Sequence, residues 1–228
     1  MKLSQLWKTR SDESIYIVGS GPSLRLFPPE FFRNKTTICL NTAWKIIQYP
    51  NYILTIHPET LPTRVSERTK IITKVKANLT GREPYYFFKN NKDVTNFSNI
   101  NDVNTLYVGR GIHTGGMDLA AKLGAKFVIL VGCDMDSFGN QHHATTENTN
   151  FHGLPWQAVY REYYYNARHL RSLLEKKYME IAFLSMNPFI GSFLNEDFEY
   201  QIKELGLKKF ETPIDTSQYI RPGVDFTS

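Results

Sequence analysis

Short apolar runs separated by polar turns recur along most of the chain. Residues 14–18, 36–41 and 52–56 are rich in apolar and β-branched side chains and end at small or polar residues, a pattern that predicts buried strands. Residues 27–32 and 42–48 lie between these runs and fit short helices. Because parallel strands need crossover connections, this alternation predicts a parallel sheet with right-handed crossovers.

The second half of the chain repeats the alternation. The pattern predicts, in order, a strand at 105–108, a helix at 114–123, a strand at 126–131, a helix from 156 onward and a last strand at 180–186. Thr114 is interpreted as the N-cap of the first of these helices and Gly124 as its end. The expected fold is therefore α/β, a Rossmann-like, mostly parallel sheet with helices on both faces.

The chain is expected to form one nucleotide-binding domain over residues 1–228. The stretch at about 58–104 is less regular and predicts a small irregular insertion, with strands possible at 71–75 and 85–89. Residues 191–228 are interpreted as a C-terminal extension that contains a short helix and two prolines.

Composition excludes several classes of protein. The chain is 41% hydrophobic and 21% charged, which is typical of globular proteins and unlike disordered tails or repeat arrays. Its longest apolar run, 127–131, is far shorter than the roughly 20 residues of a membrane span. The polar N-terminus has no signal-peptide pattern, and Cys39 and Cys133 lie in apolar runs that predict buried free thiols. These features predict a cytoplasmic protein without a membrane span.

Positive charge is concentrated in one segment. The chain carries 27 basic and 22 acidic residues, a net charge of +5, but residues 64–92 alone hold eight basic residues against Glu67 and Glu83. Four consecutive aromatic residues, 85–88, lie within this segment. Basic side chains interleaved with aromatic rings can bind single-stranded nucleic acid, so nucleic acid is one possible partner. The alternative is a solvated basic face around a buried strand.

A glycine-containing loop follows the first predicted strand directly. It consists of Gly19, Ser20, Gly21, Pro22 and Ser23. Two glycines let the backbone turn sharply and approach a ligand, and exposed N–H groups there favour a phosphate. In open α/β sheets ligands bind at the carboxyl ends of strands, where this loop lies. The loop therefore predicts a phosphate or nucleotide site, although the third glycine of the dinucleotide motif is absent and a simple tight turn is the alternative.

Two further strand ends carry polar side chains. Asn41 ends the second strand, where an amide could bind a ribose or a base edge, or could simply form a turn. Asp134 and Asp136 follow the strand at 126–131, and two carboxylates in this position suit Mg²⁺ or Mn²⁺ bridging phosphates. The alternative for these two acids is hydrogen bonding within a turn.

Half of the six histidines lie in the polar stretch after that strand. His142, His143 and His152 are candidates for a general base, because imidazole accepts a proton near neutral pH. No standard zinc-ligand spacing accompanies them, and a solvated loop is the alternative. His57 and His113 have weaker cases, and His169 is expected on a helix surface.

Several of these motifs, taken in order, resemble a known family. The matching segments are 17–24, Leu40-Asn41, Thr114-Gly115 with 120–125, 129–134 and 139–144. The pattern resembles the MptE-like domain of archaeal 6-hydroxymethylpterin diphosphokinases and Maf-type flagellin glycosyltransferases. It is also similar in layout to the Campylobacter-type α-2,3-sialyltransferases. The resemblance covers residues 15–144, with a looser match to 188.

The resemblance implies a nucleotide-handling transferase. In the sialyltransferases, the counterparts of Gly19 to Ser23 and of Asn41 hold the CMP portion of the donor, and Thr114 and Gly115 are assigned to the same site. Their catalytic base is a loop histidine, matched first by His143 and second by His152. Ser20 replaces an asparagine of the sialyltransferase loop, and Asp136 stands in place of a phosphate-contacting tyrosine. These departures make metal-assisted phosphate chemistry, with Asp136 in a catalytic role, more plausible.

Three functions therefore compete at this stage. The first is a glycosyltransferase that uses a nucleotide-sugar donor and an unknown acceptor. The second is a Mg²⁺-dependent diphosphokinase that transfers pyrophosphate from ATP, with Asp134 and Asp136 as metal ligands. The third is a non-enzymatic nucleotide- or nucleic-acid-binding module that uses residues 64–92. The donor, the acceptor and the oligomeric state are left open by the sequence.

Overall fold

The structure is a computed structural model. It describes residues 1–21, 24, 27, 29–47, 49–57, 59, 61, 66–74, 85–91, 102–109, 111–134, 155–178 and 181–185. The loop that carries His143 and His152 and the C-terminal extension lie outside these described residues.

The described strands form one large parallel sheet and one small one. In chain order they are β1 (Ser14–Val18), β2 (Thr36–Leu40), β3 (Tyr52–Thr55), β4 (Lys70–Thr73), β5 (Tyr85–Phe87), β6 (Lys89–Asn91), β7 (Thr105–Tyr107), β8 (Phe127–Val131) and β9 (Ala182–Ser185). The seven-stranded sheet has the order β5-β4-β3-β2-β1-β8-β9, and β6 pairs with β7 in a separate two-stranded sheet. All of these pairings are parallel.

The helices confirm the predicted α/β class. Two α-helices are described, α1 (Ile112–Leu123) and α2 (Trp156–Lys177). The two short helices predicted between the first three strands are present as 3₁₀ helices, Pro29–Phe32 and Asn41–Lys45. A further 3₁₀ helix, Leu3–Leu6, precedes β1.

Both faces of the large sheet are covered, but by different elements. Side chains alternate along a strand, so Ile15 and Ile17 of β1 face one side and Tyr16 and Val18 face the other. The first side packs in one hydrophobic cluster with α1 and α2. The second side packs with Phe27 and the two 3₁₀ helices. Burial on both faces explains why the strands have continuous apolar runs.

The approach of α1 to the sheet depends on a glycine. A Cβ atom built on Gly116 would lie 2.9 Å from Cγ2 of Ile17 and 3.2 Å from Cδ2 of Leu40. A glycine inside a helix costs about 1 kcal/mol relative to alanine. At this position the absence of a side chain lets α1 pack closely over β1 and β2, which offsets that cost.

The predicted N-terminus of α1 was wrong by two residues. The helix begins at Ile112 with Gly111 as its N-cap, and Thr114 lies in the first turn. The Thr114 hydroxyl lies 2.5 Å from the carbonyl oxygen of Val108 and 2.7 Å from that of Gly111, and it acts as a donor there. An N-cap side chain must instead accept from a backbone N–H, so Thr114 is not the cap. The predicted C-terminus is confirmed, because Gly124 has a φ of 95°.

A buried ion pair ties α1 to β7. Nζ of Lys122 lies 2.8 Å from Oδ2 of Asp118, and the two side chains are 4% and 2% exposed. Asp118 also accepts from the backbone N–H of Tyr107, and Lys122 donates to the carbonyl oxygen of Thr105. Asp118 and Lys122 therefore each have a backbone partner in β7, which holds that strand beside the helix. Burial, reinforced by the charge of Asp118, raises the pKa of the neighbouring Tyr178 to about 12.

Candidate functional site

The order of the strands reverses between β1 and β8. From β1 the chain proceeds through β2, β3, β4 and β5 on one side, whereas β8 and β9 add on the other side. In open α/β sheets, ligands bind in the crevice at the carboxyl ends of the strands where such a reversal occurs. The loops that leave the carboxyl ends of β1 and β8 carry the predicted phosphate loop and Asp134. The topology therefore brings these two sequence motifs to one place.

Three glycines allow the two loops to lie against each other. A Cβ atom on Gly19 would lie 2.3 Å from the carbonyl oxygen of Gly132, and one on Gly21 would lie 2.6 Å from the same oxygen. Gly132 itself has a φ of 63°, which glycine adopts without strain. The glycines of the loop are therefore required by contact with the end of β8, a reason that differs from the predicted approach to a ligand.

The same contact uses the N–H groups of both glycines. The N–H of Gly19 donates to the carbonyl oxygen of Val131 at 2.8 Å, and that of Gly21 donates to the carbonyl oxygen of Gly132 at 2.7 Å. These donors are therefore not directed at a phosphate. Of the other predicted phosphate-loop residues, Ser20 is half-buried, and Pro22 and Ser23 lie outside the described residues.

Asp134 packs directly on the phosphate loop. Its side chain is 3% exposed, and a Cβ atom on Gly21 would lie 2.7 Å from its Oδ2 atom. Burial, and then the charge of Asp134, raise the pKa of the adjacent Cys133 thiol above its usual value, which disfavours the thiolate form. Asp134 and Gly21 thus form one contact at the reversal of strand order.

Asn41 lies at the same edge of the sheet, at the carboxyl end of β2. Its φ is 47°, a left-handed conformation that asparagine tolerates better than most residues. Its Oδ1 atom accepts a hydrogen bond of 2.9 Å from the Thr55 hydroxyl at the end of β3. Because the oxygen is held in this way, the amide nitrogen of the half-buried side chain is the group left for a ligand.

Thr114 and Gly115 lie behind this edge, in the packing of α1 against the strands. Both are buried, and the Thr114 hydroxyl is engaged with backbone carbonyl groups. A Cβ atom on Gly115 would lie 3.1 Å from Cγ2 of Val108 and 3.5 Å from Cδ2 of Leu54. These surroundings are those of helix–sheet packing, and the assignment of both residues to the nucleotide site stays a prediction.

The remaining predicted site residues fall outside the described part of the chain. These are Asp136 and the two candidate bases, His143 and His152. Among the described residues, no three His, Cys, Asp or Glu side chains converge as a metal site. The roles of Asp134 and Asp136 as metal ligands and of the two histidines as bases therefore stay predictions.

The three histidines that the structure does describe have other environments. His113 is 6% exposed, and a ring nitrogen lies 3.2 Å from the carbonyl oxygen of Tyr163 in α2. Burial lowers the pKa of His113 to about 4, so it is a neutral core residue at physiological pH. His57 follows β3, is exposed and contacts Glu59 at 3.1 Å. His169 is exposed on α2, as predicted.

The sequence analysis missed two residues that shape the site, Gly132 and Thr55. Gly132 follows the clearest apolar strand, but its contact with the 19–21 loop depends on β1 and β8 being neighbours, which the local pattern does not show. Thr55 precedes no motif, and its contact with Asn41 spans fourteen positions of the chain. Only the pairing of β2 with β3 could have revealed it.

Comparison with known proteins found one structural likeness. No protein-family model and no curated protein matches the chain. Among solved structures, the chain is similar to the sialyltransferase CstII from Campylobacter jejuni, in complex with a substrate analogue, cytidine-5'-monophosphate. The likeness covers 81% of this chain and 84% of that chain at 15% sequence identity, with a TM-score of 0.44. At this level it carries no inference about function.

Proposed function

We propose that the chain is a nucleotide-dependent transferase, and specifically a glycosyltransferase that uses a nucleotide-sugar donor. The observation that carries the proposal is the meeting of the 19–21 loop with Asp134 at the reversal of strand order. Asn41 adds an amide at the same edge, on the neighbouring strand. A nucleotide placed across these strand ends would contact Ser20 at one side and Asn41 at the other.

The buried carboxylate of Asp134 restricts where the phosphate can bind. A buried carboxylate repels a phosphate in a region of low dielectric constant. Because Asp134 faces Gly21, we place the phosphate toward Ser20 and give Asp134 the role of fixing the loop. In this arrangement Asn41 binds the ribose or the base of the nucleotide.

Transfer of the sugar requires a base. The acceptor hydroxyl attacks the anomeric carbon, the bond to the nucleotide phosphate breaks, and the hydroxyl proton must be taken up. We assign this proton to His143, with His152 as the alternative, because both follow the strand end that carries Asp134. A well-placed base contributes about a hundredfold to ten-thousandfold in rate.

The nucleotide site is tested by thermal stabilisation. Melting temperatures are measured with CMP, UDP, ADP and ATP, because a ligand that binds only the folded state raises the melting temperature. The variant Asn41→Gly keeps the left-handed backbone at this position but removes the amide, so we expect a smaller nucleotide-induced shift. Tyr165→Ser, an exposed position on α2, is the control and should shift like the wild type. An unchanged shift in Asn41→Gly would place the nucleotide elsewhere.

The base is tested by separating rate from affinity. We expect His143→Ala to lower turnover by at least about a hundredfold while leaving nucleotide affinity unchanged. The turnover of His152→Ala is measured in parallel, and we expect it to fall less than that of His143→Ala. Wild-type turnover in both variants would exclude this loop as the source of the base.

The buried carboxylate at the site favours one second candidate, a diphosphokinase of the MptE type. In that reaction Asp134 and Asp136 would hold Mg²⁺ or Mn²⁺, which would offset the repulsion between Asp134 and a phosphate. Titration calorimetry with Mg²⁺ in the presence of ATP distinguishes the candidates. Equal heats for the wild type and for Asp134→Asn/Asp136→Asn would exclude the metal site.

A further inference from the structure

A basic recess lies at the opposite edge of the large sheet, where the strands begin. We call it the amino-edge groove. It has a volume of about 710 Å³, within the range of roughly 300 to 1,000 Å³ typical of ligand sites. Its lining comes from the segments that precede β1, β2, β3 and β4, and it includes Arg10, Arg33, Lys35, Tyr49 and Arg68. A strand of five residues separates this edge from the candidate transferase site by roughly 16 Å.

The lining is strongly positive. Among the lining residues that the structure describes, four basic side chains face one acidic side chain, Glu30, which leaves an excess of three positive charges. Arg10 is partly neutralised, because its guanidinium lies 3.3 Å from Oε1 of Glu13. Arg33 and Arg68 are exposed, and neither has an ion-pair partner among the described residues. Two uncompensated guanidinium groups on one recess are suited to phosphate, which they bind through paired hydrogen bonds.

The third cation is held in place by aromatic rings. Nζ of Lys35 lies 4.5 Å from the ring centroid of Phe31 and 5.7 Å from that of Tyr16. Such contacts restrict the long side chain and keep its ammonium group beside the recess. The basic character of the groove is therefore a property of its packing as well as of its composition.

Tyr49 adds an exposed aromatic ring to this basic lining. Its side chain is 74% exposed, the highest value among the large apolar residues described as exposed. Its φ is 58°, a conformation that is uncommon for a bulky residue and costs free energy. A glycine or an asparagine would suit this backbone better than a tyrosine, so the backbone conformation does not explain the residue type. The ring is instead available for stacking on a ligand.

Neutral hydrogen-bonding groups complete the lining. Oδ1 of Asn51 accepts from the backbone N–H of Thr37 at 2.9 Å, which leaves the amide nitrogen of Asn51 for a ligand. Asn34 and Ser66 also line the recess. Amides and hydroxyls of this kind can bind base edges and ribose hydroxyls, which carry both donors and acceptors.

We propose that the amino-edge groove binds a nucleotide unit, with its base stacked on Tyr49 and its phosphate on Arg33 and Arg68. The ligand is either a free nucleotide or one unit of a single-stranded nucleic acid, since both offer the same base and phosphate. This site is separate from the proposed transferase site. Among the described residues of the basic segment 64–92, Ser66, Arg68 and Thr69 line the groove.

The test measures binding of a fluorescein-labelled oligothymidylate of about ten nucleotides by fluorescence anisotropy, at salt concentrations between roughly 50 and 200 mM. Tyr49→Asn suits the left-handed backbone and should fold at least as stably as the wild type. We expect this variant to weaken binding about fivefold to a hundredfold, the effect of losing one base–aromatic stack. The slope of log affinity against log salt is negative, and Arg33→Ser/Arg68→Ser should reduce its magnitude by about 1.4.

Matched controls and competitors identify the ligand. Tyr165→Ser and Arg168→Ser change an exposed tyrosine and an exposed arginine on α2, and both should bind like the wild type. Asn41→Gly should also bind normally, which separates this proposal from the transferase site. Competition by free CMP or AMP indicates a mononucleotide ligand, whereas competition only by unlabelled oligonucleotide indicates a strand. The proposal is overturned if none of these probes binds. It is also overturned if the α2 variants lose as much binding affinity as the groove variants.

Discussion

The two edges of the large sheet differ in how polar groups are treated. At the carboxyl edge, backbone atoms of two loops are in contact and the carboxylate of Asp134 is buried. At the amino edge, Arg33, Arg68 and Tyr49 are exposed to solvent around an open recess. The carboxyl edge is therefore sensitive to any added atom, whereas the amino edge tolerates changes of side chain. The carboxyl edge is thus characterised by close packing, and the amino edge by exposed positive charge.

One motif occurs at both edges with different consequences. Asn41 accepts from Thr55 at the carboxyl edge, and Asn51 accepts from Thr37 at the amino edge, each across the β2–β3 pair. Both contacts fix an amide oxygen and leave an amide nitrogen for a ligand. Only Asn41 has a left-handed backbone, with a φ of 47°. Its residue type is therefore constrained by the backbone as well as by the hydrogen bond.

The largest expected effect is at the contact between the two loops. In Gly19→Ala the new Cβ atom would lie 2.3 Å from the Gly132 carbonyl oxygen and 2.9 Å from Sγ of Cys133. Because a backbone atom cannot move without separating β1 from β8, we expect a loss of about 3 kcal/mol or more in the free energy of unfolding. Urea denaturation measures it.

The control for this change is at the other edge. Arg33→Ala removes an exposed side chain without an ion-pair partner among the described residues and should cost less than about 0.5 kcal/mol. Similar losses in the two variants would show that the edges do not differ in packing.

A second expected effect concerns acid stability. Burial lowers the pKa of His113 to about 4, against 6.5 in the unfolded chain, so the unfolded state binds more protons between these values. The contribution of His113 to the free energy of unfolding is therefore fully present above pH 6.5. It decreases as the pH falls and is lost by about pH 4. The total is up to about 3 kcal/mol.

Denaturation curves at several pH values measure this contribution. His113→Gln should reduce the dependence of stability on pH between about 4 and 6.5. Ala158→Ser, at an exposed position of α2 that carries no titratable group, should leave this dependence unchanged. An unchanged pH dependence in His113→Gln would indicate that this part of the carboxyl edge is hydrated.

Local sequence patterns predicted the carboxyl edge better than the amino edge, for a physical reason. Residues 19–23, Asn41 and Asp134 each follow an apolar strand, so the sequence places them at one edge once the strands are parallel. The strands β1, β2 and β8 are buried on both faces and are rich in apolar and β-branched residues, which made them predictable. The meeting of the 19–21 loop with Gly132 was not predictable, because it depends on β1 and β8 being neighbours.

The amino-edge groove left no comparable signal. Its cations, Arg10, Arg33, Lys35 and Arg68, come from segments before three different strands. Residues 64–92 stand out in the sequence because eight basic residues lie close together there. Of these basic residues, only Arg68 lines the described recess. Charge that is gathered by tertiary structure is not visible as a charge run. The N-terminus of α1 was misplaced for a similar reason, since the Thr114 hydroxyl bonds to Val108 of a preceding segment.

The smallest expected effect distinguishes the two asparagines. Asn41→Ala loses the hydrogen bond from Thr55 and also forces a Cβ-bearing residue to keep a φ of 47°, so we expect a loss of roughly 2 kcal/mol. Asn41→Gly loses the hydrogen bond but not the backbone conformation and should recover about 1 kcal/mol of that loss. At Asn51, where the backbone is not left-handed, glycine should be no better than alanine. Chemical denaturation of the four variants gives the comparison directly. If glycine and alanine are equivalent at position 41, the backbone there relaxes at little cost, and the amide of Asn41 is held by Thr55 alone.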